Sequence, residues 1–296
     1  MKHNQFSFMW RIALLMLPGI IILILFTLYP IIKILVMSFF NWSIGIGQAS
    51  NFIGLKNYQD VFSDPIARRS LVNTLYYASL TVPLQISFGL FVAVLIHGIR
   101  RFSITFRLLY YLPVITSWVV VAVLFRNIFS NRGLINYFLV DVLSIVSEPI
   151  GWLSTRWPAL TSTIVLGVWK GIGWNMVIFL AALQAVPIEL YEASACDGLG
   201  KIRQFFYITL PSIKGTILFA LVMLLLGAFN TFTPIQVITG GNPAHQTQVA
   251  MTWMYFQTFN TTGKLGYSAA MSFIITLFIL FFTFILFRVL RPEEEK

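Results

Sequence analysis

The chain has 296 residues, of which 58% are hydrophobic and only 10% charged, with a formal net charge of +10 and a mean hydropathy of +0.82. Soluble domains carry roughly 25% charged residues, and a water-soluble globule of this size cannot hide so much apolar surface. The composition excludes a disordered chain, a secreted disulfide scaffold and a cytosolic enzyme.

The positive balance fits basic loops facing anionic headgroups and not nucleic acid. A bilayer core of roughly 30 Å needs about 20 apolar residues as helix. Six stretches meet or approach that length: 12–32, 73–96, 108–125, 159–183, 217–239 and 268–287. They are continuously apolar and do not alternate, so helices are expected over barrel strands. Lys2 and Arg11 before the first stretch give it the look of a signal peptide. The residues after it, Tyr29-Pro30-Ile31-Ile32-Lys33, offer no small-residue cleavage site, so it reads as a retained span.

Between the third and fourth spans, Leu134, Ile135, Phe138, Leu139 and Val142 recur at helical spacing. They predict a short helix at the interface or packed over the spans, not a seventh crossing. The fourth span contains Lys170, the one charged residue in any span. Two readings stand side by side: it snorkels or pairs near Gly171 and Gly173, or it lines a polar pathway.

The segment 186–214 is the most informative. Pro187 suits a first helical turn, with Glu189 and Glu192 near the positive helix end. Ile188, Tyr191 and Ala195 share one face. Asp197-Gly198 stops that helix, since glycine readily takes the left-handed conformation of a C-terminal cap. A second short helix is expected over 199–207, and Pro211 opens the next. The predicted form is a compact helix–glycine turn–helix. On residues alone it either fits a groove on a partner or lies on the headgroups.

Six spans put both termini on one side of the membrane. That side holds 11 Lys and Arg in 64 residues, against 8 in 101 on the other. The twofold contrast places both termini in the cytoplasm. Five spans lack Asp, Glu, Lys and Arg altogether, so an intramembrane coupling group for an ion-driven carrier has little support. Such a carrier, working without an ATPase, is the alternative. Three separated histidines and the single Cys196 make no metal, disulfide or nucleophilic site.

The run Glu192-Ala193-Ser194, Asp197-Gly198-Leu199, Phe205, Ile208, Leu210 and Pro211 resembles the "EAA" loop of the membrane subunits of binding-protein-dependent ABC importers. Ser194 and Leu199 depart from the alanines usual there. Similarity to the carbohydrate branch, the maltose-importer type of permease, extends through the 51–58 run from Asn51 to Tyr58. It continues through Leu112-Pro113, Thr239-Gly240-Gly241-Asn242-Pro243 and Gly266-Tyr267-Ser268-Ala269-Ala270.

The resemblance implies an all-α membrane protein of type I ABC importer fold, with six transmembrane helices and a cytoplasmic coupling helix between spans 4 and 5. It implies residues 1–70 as N-terminus, first span and first outer loop, 71–290 as the five-helix permease core, and 291–296 as a cytoplasmic tail. It implies a bacterial or archaeal cytoplasmic membrane and three kinds of partner: a second permease, usually a different chain in this family but open to a copy of this one, two ATP-binding subunits and an extracytoplasmic solute-binding protein. No Gly-x-x-x-x-Gly-Lys-Ser/Thr run occurs, so ATP and Mg would be bound by the separate ATPase and no cofactor by this chain.

By the same resemblance Glu192 and Asp197 make polar contacts and stabilise helix ends, and Gly198 supplies the turn. Ala193, Ser194 and Leu199 form the docking face, with Phe205, Leu210 and Pro211 completing the coupling segment. Sugars are recognised by aromatic stacking with amide and hydroxyl hydrogen bonds. The pathway residues expected on that basis are Trp169, Gly171, Trp174 and Asn175 in the fourth span and Gly227, Asn230, Thr231, Thr233 and Gln236 in the fifth. Aromatic belts and helix–helix contacts compete for the same residue types. A lone intramembrane lysine gives little support to an anionic cargo, while the outer arginines leave one open.

Overall fold

The computed structural model describes residues 14–42, 50–99, 101–260 and 264–290. Lys2, Arg11, Arg100, Arg291 and Lys296, five of the residues weighed in the orientation reading, lie outside that set, as do the first two residues of the 12–32 stretch and the 291–296 tail. In chain order the elements begin with helix α1 (Leu14–Ser38), strands β1 (Phe40–Asn41) and β2 (Asn51–Phe52), and α2 (Lys56–Ser63). Then come α3 (Pro65–His97), α4 (Ser103–Ile115), α5 (Trp118–Ile128) and α6 (Leu134–Asn136). They are followed by α7 (Arg156–Gln184), α8 (Ile188–Cys196), α9 (Lys201–Gln204) and α10 (Lys214–Phe229). The last are α11 (Thr233–Ile238), α12 (Ala250–Phe259) and α13 (Leu265–Leu290).

Among the described residues, five helical stretches are long and apolar enough to cross a bilayer: Leu14–Ser38, Pro65–His97, Arg156–Gln184, Lys214–Ile238 and Leu265–Leu290. The expected third span, 108–125, is not one continuous helix. It is two helices, α4 and α5, bent by 92°. Thr116 and Ser117 at the break are extended, with ψ of 149° and 134°. Both are uncharged, so hydropathy runs through the break without registering it. The stretch Lys214–Ile238 is also interrupted, at 230–232 between α10 and α11.

The described residues divide into two compact units. The first comprises 14–64 and 254–274. There β1 and β2 pair antiparallel, Phe40 opposite Phe52. The Asn57 amide donates to the carbonyls of Ser38 and Phe40 at 2.8 and 2.9 Å, fixing α2 beneath the end of α1. Tyr267 donates to Asp64 Oδ2 at 2.6 Å.

The second unit comprises 65–253 and 275–290. Lipid tails are as apolar as leucine, so helices associate there through close packing and polar contacts and not by escaping water. The contact of α3 with α7 shows both. Leu90, Ala93 and Ile96 of α3 pack with Met176, Phe179, Leu180 and Leu183 of α7, and Ile213 and Ala220 complete the cluster. Toward the other end of α3, Asn73, Tyr77, Thr81 and Gln85 recur every four residues, and all are buried. Asn73 donates to the carbonyls of Gln246 and Gln248 at 2.8 and 2.6 Å and accepts from Arg156 Nε at 2.9 Å. The short helix expected after the third span is present as α6 with a π-helical turn, Tyr137–Val142. Asn136 anchors it, exchanging hydrogen bonds with the backbone of Ile150 at 3.0 Å each way.

Candidate functional site

Two features in the second unit could serve transport: the folded loop after α7 and a cavity between helices. Pro187 precedes α8 as its N-cap, Glu189 lies in its first turn, and Gly198 follows its end with φ +79°. No heavy atom stands within 4 Å of where a Gly198 side chain would begin, so only the backbone conformation demands glycine there. The second helix starts at Lys201, two residues later than the expected 199–207, and runs on past 207. It is α9, continued by a π-helical turn over Phe205–Thr209, with Pro211 in the next helical turn, Leu210–Ser212.

The two arms are joined by side chains. Gln204 Nε2 donates to the Tyr191 carbonyl at 3.2 Å and to Ser194 Oγ at 3.0 Å. Tyr191 and Thr209 hydroxyls meet at 3.0 Å. Ser194 is therefore turned into the loop and buried, not outward with Ala193. Glu192 and Asp197 are exposed, and Leu199 is half-buried. Ile188, Ile202, Phe206 and Tyr207 expose most of their apolar surface. Val186, Phe205 and Leu210 pack on the core cluster of α3 and α7. The loop is thus a braced knuckle seated on the helix ends, with an apolar outer rim.

The cavity has a volume of about 450 Å³. Its polar wall includes Gln85 and Tyr77 of α3, Lys170 and Trp174 of α7, Trp118 of α5 and Asn230 beyond α10. Gly167 and Gly171, one turn apart on α7, seat two of these. A side chain at Gly171 would strike the Gln85 carboxamide, and one at Gly167 would strike the Tyr77 hydroxyl. Gln85 Nε2 donates to the Gly167 carbonyl at 2.9 Å, which fixes its amide. Lys170 Nζ donates to the carbonyls of Pro113 and Thr116 at 2.6 and 2.7 Å. The ammonium also lies 4.9 Å from the centre of the Trp118 ring. It both pairs with backbone and lines the cavity, so the two sequence readings describe one placement.

Of the residues expected along a pathway, Gly171, Trp174, Gly227, Asn230, Thr231 and Thr233 line this cavity. Trp169 lies against Phe125, ring centres 5.5 Å apart, outside the lining. Asn175 is fully buried, donates to the Gly171 carbonyl at 2.9 Å, and is also outside it. Gln236 is exposed elsewhere. Tyr77, Thr81, Gln85 and Trp118 line the cavity without having been singled out from the sequence. The four-residue spacing of Tyr77, Thr81 and Gln85 along α3 was the available signal. Among the described residues no group of three or more His, Cys, Asp and Glu could hold a metal ion.

Residues 70–294 match the family model described as "Binding-protein-dependent transport system inner membrane component". The chain is 33% identical over 286 residues to the probable ABC transporter permease protein YurN of Bacillus subtilis (strain 168), covering 96% of this chain and 97% of that one. It is 32% identical to the lactose transport system permease protein LacF of Rhizobium radiobacter, covering 94% and 93%. It is also similar to a chain in the crystal structure of a bacterial ABC transporter involved in import of the acidic polysaccharide alginate. The TM-score there is 0.82 at 22% identity, with 99% of each chain covered, a likeness of fold.

Proposed function

The chain belongs to the family of binding-protein-dependent transport system inner membrane components, and from that premise we propose that it is the permease half through which an ATP-driven importer moves a carbohydrate across a bacterial or archaeal cytoplasmic membrane. Relatives named for lactose, sn-glycerol-3-phosphate and arabinooligosaccharides support the substrate class. The cavity supports it independently. Trp118 and Trp174 offer apolar faces for sugar rings, and Gln85, Asn230 and Thr231 offer hydrogen bonds for hydroxyls.

In this reading the bent pair α4–α5 counts as one crossing, giving six, with both termini in the cytoplasm. The partners are a second permease chain, two ATP-binding subunits and an extracytoplasmic solute-binding protein. ATP and Mg act on the ATP-binding subunits.

The observation that carries the mechanism is the knuckle 186–211, braced internally by Gln204 and seated on the core by Phe205 and Leu210. A part so connected transmits displacement, where a slack loop would absorb it. Its exposed rim, with Ile188, Ala193 and Ile202, docks in a cleft of the ATPase. Ser194 holds the knuckle together from inside. ATP binding closes the ATPases and moves the knuckle, and the spans turn from inward- to outward-facing. Hydrolysis resets them. Purification from native membranes through a tag on this chain tests the assembly. An ATPase retained in stoichiometric amount supports it, and a chain that transports sugar when pure and alone refutes it.

A further inference from the structure

We infer that the cargo admitted by this cavity is an uncharged glycan and that Lys170 is a structural cap in its wall, not a ligand for an anion; the inference rests on the carbohydrate reading above. Among the described residues lining the cavity, Lys170 alone carries a charge. An ammonium has three N–H donors and no acceptor. Nζ donates to Pro113 and Thr116 carbonyls at 2.6 and 2.7 Å, with the Val114 carbonyl at 3.4 Å. These oxygens belong to the C-terminal end of α4, where the break leaves carbonyls without helical partners. The aligned peptide dipoles put partial negative charge at that same end. The Trp118 ring covers a further side, and Lys170 is only 4% exposed.

The charge is thus answered by the helix end. A carboxylate or phosphate reaching Nζ would compete with these carbonyls for its N–H groups, and displacing the Thr116 carbonyl would take that donor from a buried acceptor. The neighbouring amides point the same way. Gln85 Nε2 is held by the Gly167 carbonyl at 2.9 Å, and Asn230 Nδ2 by the Leu226 carbonyl at 2.9 Å. Each amide therefore keeps its oxygen to accept and one N–H to donate. A sugar hydroxyl can donate to those oxygens. An ionised carboxylate accepts only, so it can use the N–H but leaves the amide oxygen unmatched, where a hydroxyl can use both. The wall suits hydroxyl groups and offers an anion no unengaged cation, although relatives of this chain include permeases named for sn-glycerol-3-phosphate.

Direct binding to the assembled transporter in nanodiscs, without the solute-binding protein, tests this. The probes are lactose, cellobiose and maltotriose, each paired with the same sugar carrying one C6 hydroxymethyl oxidised to carboxylate. We expect at least one neutral sugar to bind about tenfold or more tighter than its acid. Lys170→Met and Lys170→Arg should leave that ratio within about threefold, which a cap allows and an anion ligand does not. An acid that binds wild type as tightly as its neutral partner, or tighter, overturns the inference and leaves the carbohydrate reading standing. Should neither variant assemble, the wild-type ratio decides alone. Failure of all six sugars to bind overturns the carbohydrate reading, and this inference with it.

Discussion

The Lys170 ammonium donates to the carbonyl of Pro113 at 2.6 Å, joining positions 57 residues apart. That bond and its companion to Thr116 hold open a 92° bend between two apolar helices. In lipid the backbone groups released at such a break must find partners inside the protein. A lysine on the adjacent helix meets that need.

Replacing Lys170 by Met removes the ammonium donor from the Thr116 carbonyl, while the Pro113 carbonyl keeps the Thr116 hydroxyl at 2.6 Å. The expected loss is about 1–3 kcal/mol of stability, the usual cost of an orphaned buried acceptor. Lys170→Arg, which keeps donors and charge, should recover most of it. Thermal unfolding of the purified assembly in detergent reads both. A Met variant as stable as wild type removes the capping role.

Gly171→Val forces a side chain into the place of the Gln85 carboxamide. Overpacking of this kind costs about 1–3 kcal/mol, and uptake should fall with it. In the double variant Gly171→Val with Gln85→Ala, stability should return while uptake stays low, because the amide is missing from the cavity wall. Recovery of both would assign Gln85 to packing alone.

Gly198 sits at φ +79° with open space beside it. A substitution there meets backbone strain of about 1–2 kcal/mol and no collision. Gly198→Asn should be milder than Gly198→Val, since asparagine tolerates the left-handed region. In the reconstituted transporter, cargo-stimulated ATP hydrolysis should rank wild type, Asn, Val in falling order. Equal rates in all three would mean that the turn has no part in coupling.

Asn73 ties the 246–250 segment to α3 and receives Arg156 Nε. Asn73→Ala leaves two carbonyls and a guanidinium donor without this partner, a cost of about 1–3 kcal/mol or more. Faster amide hydrogen exchange confined to 246–250 is the expected signature. Unchanged exchange there would show the segment to be held by other contacts.

What could be read from the sequence divides by the range of its cause. The stretch 159–183 is nearly the whole of Arg156–Gln184, because continuous apolarity is a local property. Pro187, Gly198 and Pro211 marked the knuckle for the same reason, each restricting the backbone where it stands. The bend at Thr116 and Ser117 was hidden, since the lysine that stabilises it is 54 residues away from Thr116. Within the spans, residue type did not reveal facing. Trp174 lines the cavity while Trp169, five positions before it on the same helix, packs against Phe125. Averaged hydropathy also buried the ridge of Asn73, Tyr77, Thr81 and Gln85, whose spacing of four held the information.

Uphill uptake of labelled oligosaccharide by vesicles holding this chain, its partner permease, the ATPase and the binding protein is the decisive measurement. Uptake should require ATP, and Gly198→Val or Glu192→Lys should lower both it and cargo-stimulated hydrolysis. Uptake driven by an ion gradient without ATP, or wild-type rates in both variants, would contradict transmission through residues 186–211.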